Sequence, residues 1–349
     1  MTTTRISTYS MADSSRSQLM RQTTLVDRLK QEMSSLRHYD IGLELGGRTG
    51  EAVTVRSEFQ RLKGLVDTNA LLSSRLGVTQ SALDDILNSG QEMLKTLIAV
   101  RDAGGASIGT QNMGQGNLKL LISRLNIQPG GVYVFGGINT GEVPVTDYYS
   151  DPAPANKAAL DAAFLAEFGF SQSDPAAAGI SAAAMQTFLD GAFQTLFDDP
   201  QWGNTWSSAT DDVMKNAIST GETADTTVSA NDKAFRQLAA AYTMIGELGI
   251  TNLNAVTLQV VVDKAISVLG GAVSGVTQIK GGLGLVEARV TASSERLNMQ
   301  ADVLNKRVLN LENINPEETS VRLNTALTQL ETTYAVSARM QKLSILNYL

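Results

Sequence analysis

The 349-residue sequence contains no cysteine and a single histidine, His38. Without thiols there can be no disulfide scaffold, no thiolate zinc or iron–sulfur site and no cysteine nucleophile. One imidazole cannot build a His-rich metal centre, and a Ser-His-Asp mechanism would depend on His38 alone. Aromatic residues make up 5% of the chain and prolines number 7, so long helices meet few interruptions. Basic residues are the minority, 28 against 35 acidic, giving a formal charge of -7; that balance argues against nucleic acid or an anionic membrane surface as partner. Uncharged apolar runs of 18 residues are also missing. The best stretch, Leu253 to Leu269, is broken by Asp263 and Lys264, so no membrane insertion is expected. The opening MTTTRISTYSMADSSRSQL carries arginines but no apolar core segment, which predicts no cleavable secretory signal.

What is present is helical periodicity. Leu19, Gln22, Val26, Leu29, Met33 and Leu36 follow three- and four-residue steps, which predicts one apolar seam along a helix over about 12–37. Glycines at 42, 46, 47 and 50 predict a loop from Asp40 to Gly50. From Val55 to Leu97 the same stepping continues through Phe59, Leu62, Val66, Leu72, Leu76, Leu83, Ile86 and Met93. A tract of that length predicts a rod or coiled coil rather than an ordinary globular helix. A glycine-rich break is expected at 104–116, then a short helix over about 117–126.

The middle of the chain changes character. Gly130 to Gly137, GGVYVFGG, is a β-branched and aromatic run between glycine pairs and predicts a strand, with a turn at Asn139 to Gly141. Thirteen alanines fall between 153 and 184, and residues 151–200 hold seven acidic residues against one lysine. Prolines at 144, 152, 154, 175 and 200 divide helical pieces expected at 155–168, 176–197 and 205–219. Helical periodicity returns from Asp232 to Glu247 and from Leu253 to Ile279. Gly281, Gly282 and Gly284 are expected to interrupt it before another long helix from Val286 to Leu311, and Asn315-Pro316 marks the next break. The final helix is predicted over about 317–347, with Leu323, Leu327, Leu330, Tyr334 and Ile345 near one face. Each lone stripe must bury itself against another element, so the first and last helices are expected to pair, placing both termini at one end of an elongated molecule.

These residues carry a resemblance. Leu330 to Leu349, LETTYAVSARMQKLSILNYL, resembles the terminal helix of the bacterial flagellin family, with Tyr334, Leu343, Ser344, Leu346 and Leu349 matching its closing motif. GVYVFGG at 131–137 is similar to the family's aromatic strand, and Gly284 to Arg289 to the start of its C-terminal rod helix. Ser7-Thr8, the Leu19–Leu36 seam and the Gly46-Gly47-Arg48 loop resemble its N-terminal region. Two motifs depart from the pattern: Arg48-Thr49-Gly50-Glu51 stands where an Asp-Asp-Pro or Asp-Asp-Ala is usual, and Asn313 to Pro316 stands for an Asp-containing stretch.

The resemblance implies a mainly α fold: an elongated rod of long antiparallel helices with a terminal coiled coil, a short β-hairpin region and a small inserted outer domain. The expected divisions are 1–45 pairing with 315–349, rod parts at 46–141 and 231–314, and a mainly helical insert at 142–230. It further implies a non-enzymatic structural protein of the bacterial flagellum, without cofactors, exported through the flagellar type III apparatus. The modest length and the LSILNYL ending point within the family to the members that connect hook to filament as a ring of about eleven copies; the alternatives are flagellin, the filament subunit itself, and a non-flagellar coiled-coil interaction or secretion-tip protein. Implied partners are a second hook-associated protein, flagellin on the filament side and a cytoplasmic export chaperone. The expected assembly residues are Leu19, Val26, Leu29, Met33, Leu36, Leu323, Leu327, Leu330, Tyr334, Ile345, Leu346 and Leu349.

Other candidate sites are weaker on their own chemistry. No glycine-flanked nucleophile turn lies near His38 in sequence. GGLG at 281–284 lacks nucleotide-loop spacing, and GxxxxGK[ST] is absent. Asp84-Asp85 and Asp198-Asp199 fit helix-surface charge and capping better than a Ca²⁺ loop. Trp202 and Trp206 are expected to anchor a core rather than to form a sugar platform.

Overall fold

The computed structural model describes residues 8–103 and 105–342. Ten α-helices and one two-stranded sheet are present among them: α1 Thr8–Ser35, α2 Ile41–Leu45, α3 Thr49–Ala103, α4 Ile108–Leu125, α5 Ala155–Phe168, α6 Ala182–Phe188, α7 Gln201–Thr205, β1 Lys215–Ser219, β2 Glu222–Asp225, α8 Lys233–Glu247, α9 Ala255–Glu312 and α10 Pro316–Lys342. The chain divides into two compact units, Met1–Gly64 with Asn298–Leu349, and Leu65–Leu297.

The second unit is built on one continuous apolar core. Leu76, Leu83, Ile86, Met93 and Leu97 of α3 meet Leu118, Leu121 and Leu125 of α4, Phe235, Leu238 and Tyr242 of α8, and Val261, Leu269 and Val276 of α9. Part of α9 is long and apolar enough to cross a membrane, and Val261, Leu269 and Val276 of that helix are buried in this core. The 142–230 region joins the same core through a run of rings. Trp202 and Trp206 stack with centroids 5.4 Å apart at 10°, and Tyr148 stacks on Trp206 at 5.4 Å. Both indoles are buried and Trp202 Nε1 donates to Asn231 Oδ1 at 2.9 Å, so they are core anchors, satisfied at their polar edge.

Five local expectations are corrected. The 104–116 break is mostly helix: Ser107 caps α4 by accepting from Thr110 N, and one of its glycines, Gly114, serves packing. A Cβ on Gly114 would lie 2.7 Å from the backbone nitrogen of Gly246, so α4 and α8 cross at backbone contact. Gly281, Gly282 and Gly284 do not interrupt α9, which runs unbroken past them; Leu283 is buried, Lys280 pairs with Asp84, and Gln80 Nε2 donates to Lys280 O at 3.1 Å. Tertiary contacts here outweigh helix propensity.

The strand expected at 130–137 is instead an irregular buried clip. Gly130, Gly131 and Gly137 take φ of +66°, +82° and +68°, which turns the chain at both ends of the run. The amides between find partners on different segments: Tyr133 N donates to Thr140 O and Val134 N to Ile127 O, while Phe135 O accepts from Ala230 N. The hairpin lies elsewhere. The piece expected as helix at 205–219 leaves α7 at Trp206, is tied down by Ser207 Oγ donating to Pro144 O, and becomes β1, pairing antiparallel with β2 across Thr220-Gly221. Ile218 fixes this hairpin to α3 and α9, its carbonyl accepting from Asn69 Nδ2 at 2.8 Å and from Ser293 Oγ at 2.7 Å.

In the first unit the start of α3 lies beside the end of α9. Glu51 accepts from Arg307 Nε at 3.1 Å, and Arg56 pairs with Glu312. The loop expected at 40–50 is mostly helical: Asp40 caps α2 by accepting from Leu43 N, a 3₁₀ turn follows over Gly46–Arg48, and α3 begins at Thr49.

Candidate assembly surface

The terminal helices α1 and α10 pair, as their stripes require. Val26, Leu29 and Ala326 form the buried centre, with Leu25, Leu323, Leu327 and Leu330 partly buried around it. Leu19 and Met33 are half-buried at either side of that centre. Leu36 and Tyr334 stand in solvent, 50% and 54% exposed. Leu36 leaves the seam because its φ is +56°, a left-handed residue that ends α1 and turns its side chain off the helical face. Tyr334 leaves it by register. The less exposed line of α10 runs through Thr319, Leu323, Ala326, Leu330, Thr333 and Ser337, one position away from Tyr334. Ile345, Leu346 and Leu349 lie outside the described residues.

A buried carboxylate closes the joint beside this pair. Glu312, 2% exposed at the end of α9, faces Arg56 and Arg37, the latter at 3.7 Å. The backbone adds His38 N donating to Glu312 O at 2.9 Å and Ile314 N donating to Leu36 O at 3.2 Å. His38 is thus held through its amide at the α9–α10 turn. Nearby, the Arg307 guanidinium, by hydrogen bond and charge, holds the Glu51 carboxyl below the usual carboxylate range. The joint was not read from sequence; its only signal was a glutamate in the last turn before the Asn-Pro break.

One face of α10, through Asn324, Thr325, Thr328, Gln329, Thr332 and Thr333, is neutral and polar. Thr325, Thr328, Thr332 and Thr333 each donate their hydroxyl to the carbonyl four residues back. Of the acidic pairs, Asp84 and Asp85 meet Lys280 and Arg124, while Asp199 meets Arg236. No cluster of three or more metal-ligating side chains forms among the described residues. The arrangement is one for helix–helix contact.

Comparison with known proteins agrees. The model of the bacterial flagellin N-terminal helical region matches residues 6–140, and that of the flagellin C-terminal helical region matches 266–349. The chain belongs to the bacterial flagellin family. Both matches coincide with the paired ends and long helices, so this flagellin-family protein is a non-catalytic structural component of the flagellum. A solved structure of a protein from Vibrio parahaemolyticus, assigned as flagellar hook-associated, is similar at 11% identity with a TM-score of 0.49, covering 76% of this chain and 97% of the other. No curated protein matches the chain.

Proposed function

We propose that this flagellin-family protein is the hook–filament junction protein, a ring of copies that connects the flagellar hook to the filament. The observation that carries the reading is the thin seam of α1 and α10: among the described residues three buried side chains and four partly buried leucines hold two long helices, while Leu36, Val321 and Tyr334 face solvent. A helix pair of that kind is marginal alone in water and gains stability when neighbouring copies cover it. Copies related by rotation about a common axis cover one another in turn. The LSILNYL motif at 343–349, through its resemblance to the junction members, supports the junction role over that of filament subunit. On this reading residues 142–230 form the outer insert, 1–45 and 315–349 the assembling ends, and 46–141 and 231–314 the rod. A second hook-associated protein binds on the hook side, flagellin on the filament side, and a chaperone holds the C-terminal helix before export.

The test is cryo-electron microscopy of purified hook–filament structures with a label inserted in 146–230. Label confined to a narrow ring at the junction is the expected result. Label repeated along the filament would make the protein a filament subunit, and a flagellum without label would overturn the reading.

A further inference from the structure

Among the described residues Leu36 is the one non-glycine residue with a left-handed backbone, φ +56°. It ends α1 where helices commonly carry glycine, and a bulky side chain makes that conformation costly. The side chain gains little packing in return, being 50% exposed. What holds the residue is backbone: Leu36 O accepts from Ile314 N at 3.2 Å, His38 N donates to Glu312 O at 2.9 Å, and Arg37 bridges to Asn313. Next to it, within the first unit, lies an open cleft of about 340 Å³. Its floor is the buried Leu29, Ile314 and Ala326, and charged groups, Arg28, Glu32 and Arg322 among them, line the rest. The apolar part therefore suits one aliphatic side chain rather than a longer apolar segment. Leu29, Glu32 and Leu36 are successive steps of three and four along one helical face, so the cleft lies where Leu36 projects if α1 runs one residue further.

We propose that Leu36 is a two-position latch. In the first position it is left-handed, its side chain stands in solvent and the end of α1 is tied to the α9–α10 turn. In the second it takes the right-handed helical conformation and α1 gains a residue. Helical side chains lean toward the helix N-terminus, so Leu36 then lies back over Glu32 onto the apolar floor at Leu29. The two positions exclude one another, because a helical Leu36 aims its carbonyl along α1 and away from Ile314 N. Leaving the first position forfeits two backbone hydrogen bonds and the approach of Arg37 to Glu312 at 3.7 Å. It relieves the left-handed strain and buries an aliphatic side chain. These opposing contributions are of similar size, so both positions are open to thermal exchange. Arg56 keeps Glu312 paired in either, and residues 37–40, which precede α2, absorb the change of direction. The latch sets whether the first helix is fastened to the turn between the last two helices or released from it.

Amide hydrogen exchange of the full-length protein, followed residue by residue, tests this. The amides of His38 and Ile314 are freed in the second position and are expected to open together, roughly tenfold more readily than that of Leu29 within α1. Leu36→Gly takes the left-handed form without strain and has no side chain for the cleft, so it should slow both amides roughly tenfold. Leu36→Ala separates the two contributions. It keeps the Cβ that makes the left-handed form costly but has little to bury, so exchange should be roughly threefold slower than with leucine. Protection at Leu29 is expected to be alike in all three chains. Opening of Leu29 together with the two joint amides, rates unchanged by Leu36→Gly, or equal rates with leucine and alanine would each overturn the proposal. None of these readouts depends on where in the flagellum the protein sits, so the latch and the junction reading fail separately.

Discussion

Tyr242 shows how a single buried group ties the larger core to pH. Its ring is buried on α8, its hydroxyl lies 3.0 Å from Ser89 Oγ, and burial raises it from 10.0 to about 12, an effect the Ser89 hydrogen bond offsets only in part. Burial pushes Tyr148 and Tyr149 up as well. The folded state therefore keeps these protons where the unfolded chain releases them. Stability is whole below pH 10 and falls as pH rises through the window up to about 12. Denaturation midpoints at stepped alkaline pH should show that loss, with Tyr242 contributing on the order of 2–3 kcal/mol and Tyr242→Phe making the decline shallower. A second test at this scale uses two glycines of α4. Gly114→Ala drives a methyl into the backbone of Gly246 and should destabilise by about 1–3 kcal/mol. Gly116→Ala, exposed with nothing within 4 Å, should stabilise by about 0.5–1 kcal/mol. Equal effects in urea unfolding would mean the α4–α8 crossing is not at backbone contact.

At the scale of elements, the helices were legible wherever an apolar stripe repeated over many turns, as in α1, α3, α8 and α10. What was not legible depended on partners distant in sequence. Gly281 to Gly284 look like a break until Asp84 and Gln80 are set beside Lys280. Val132 to Phe135 have strand composition but no single neighbour to pair with, whereas Lys215 to Asp225, weaker in composition, gain one across Gly221. The seam of α10 had two registers of equal spacing, one through Leu327 and Tyr334, the other through Ala326 and Thr333; only the packing chosen by α1 separates them. The Glu312 joint belongs to this scale. Glu312→Ala strands Arg37 and Arg56, which are partly solvated, so the expected cost is about 1–3 kcal/mol, less than for a fully buried pair. Hydrogen exchange should quicken at the amides of His38 and Ile314 and stay unchanged in α8. Unchanged exchange at both joint amides would show that the carboxylate is dispensable to the turn.

For the molecule as a whole, the two units hold very unequal cores. That of residues 65–297 draws on four long helices and the stacked indoles, while among the described residues α1 and α10 bury Val26, Leu29 and Ala326, with Leu25, Leu323, Leu327 and Leu330 only partly covered. Fully burying such an aliphatic side chain contributes about 1.5–3 kcal/mol, whereas ordering the backbone costs about 1–2 kcal/mol per residue before helical hydrogen bonds are counted. A helix pair with so few buried side chains sits near balance, and the larger core does not. Calorimetry of the unassembled protein should therefore show two transitions, the lower one from the terminal helices. Leu29→Asp places a charge at the centre of the seam and should abolish the lower transition while leaving the upper one within a degree or two. A single transition that Leu29→Asp shifts as a whole would mean that the terminal pair is stabilised by the larger core. Assembly would then be adding contacts to helices already formed, and the dependence of the ends on neighbouring copies would have to come from exposed residues such as Leu43, Val321 and Tyr334 alone.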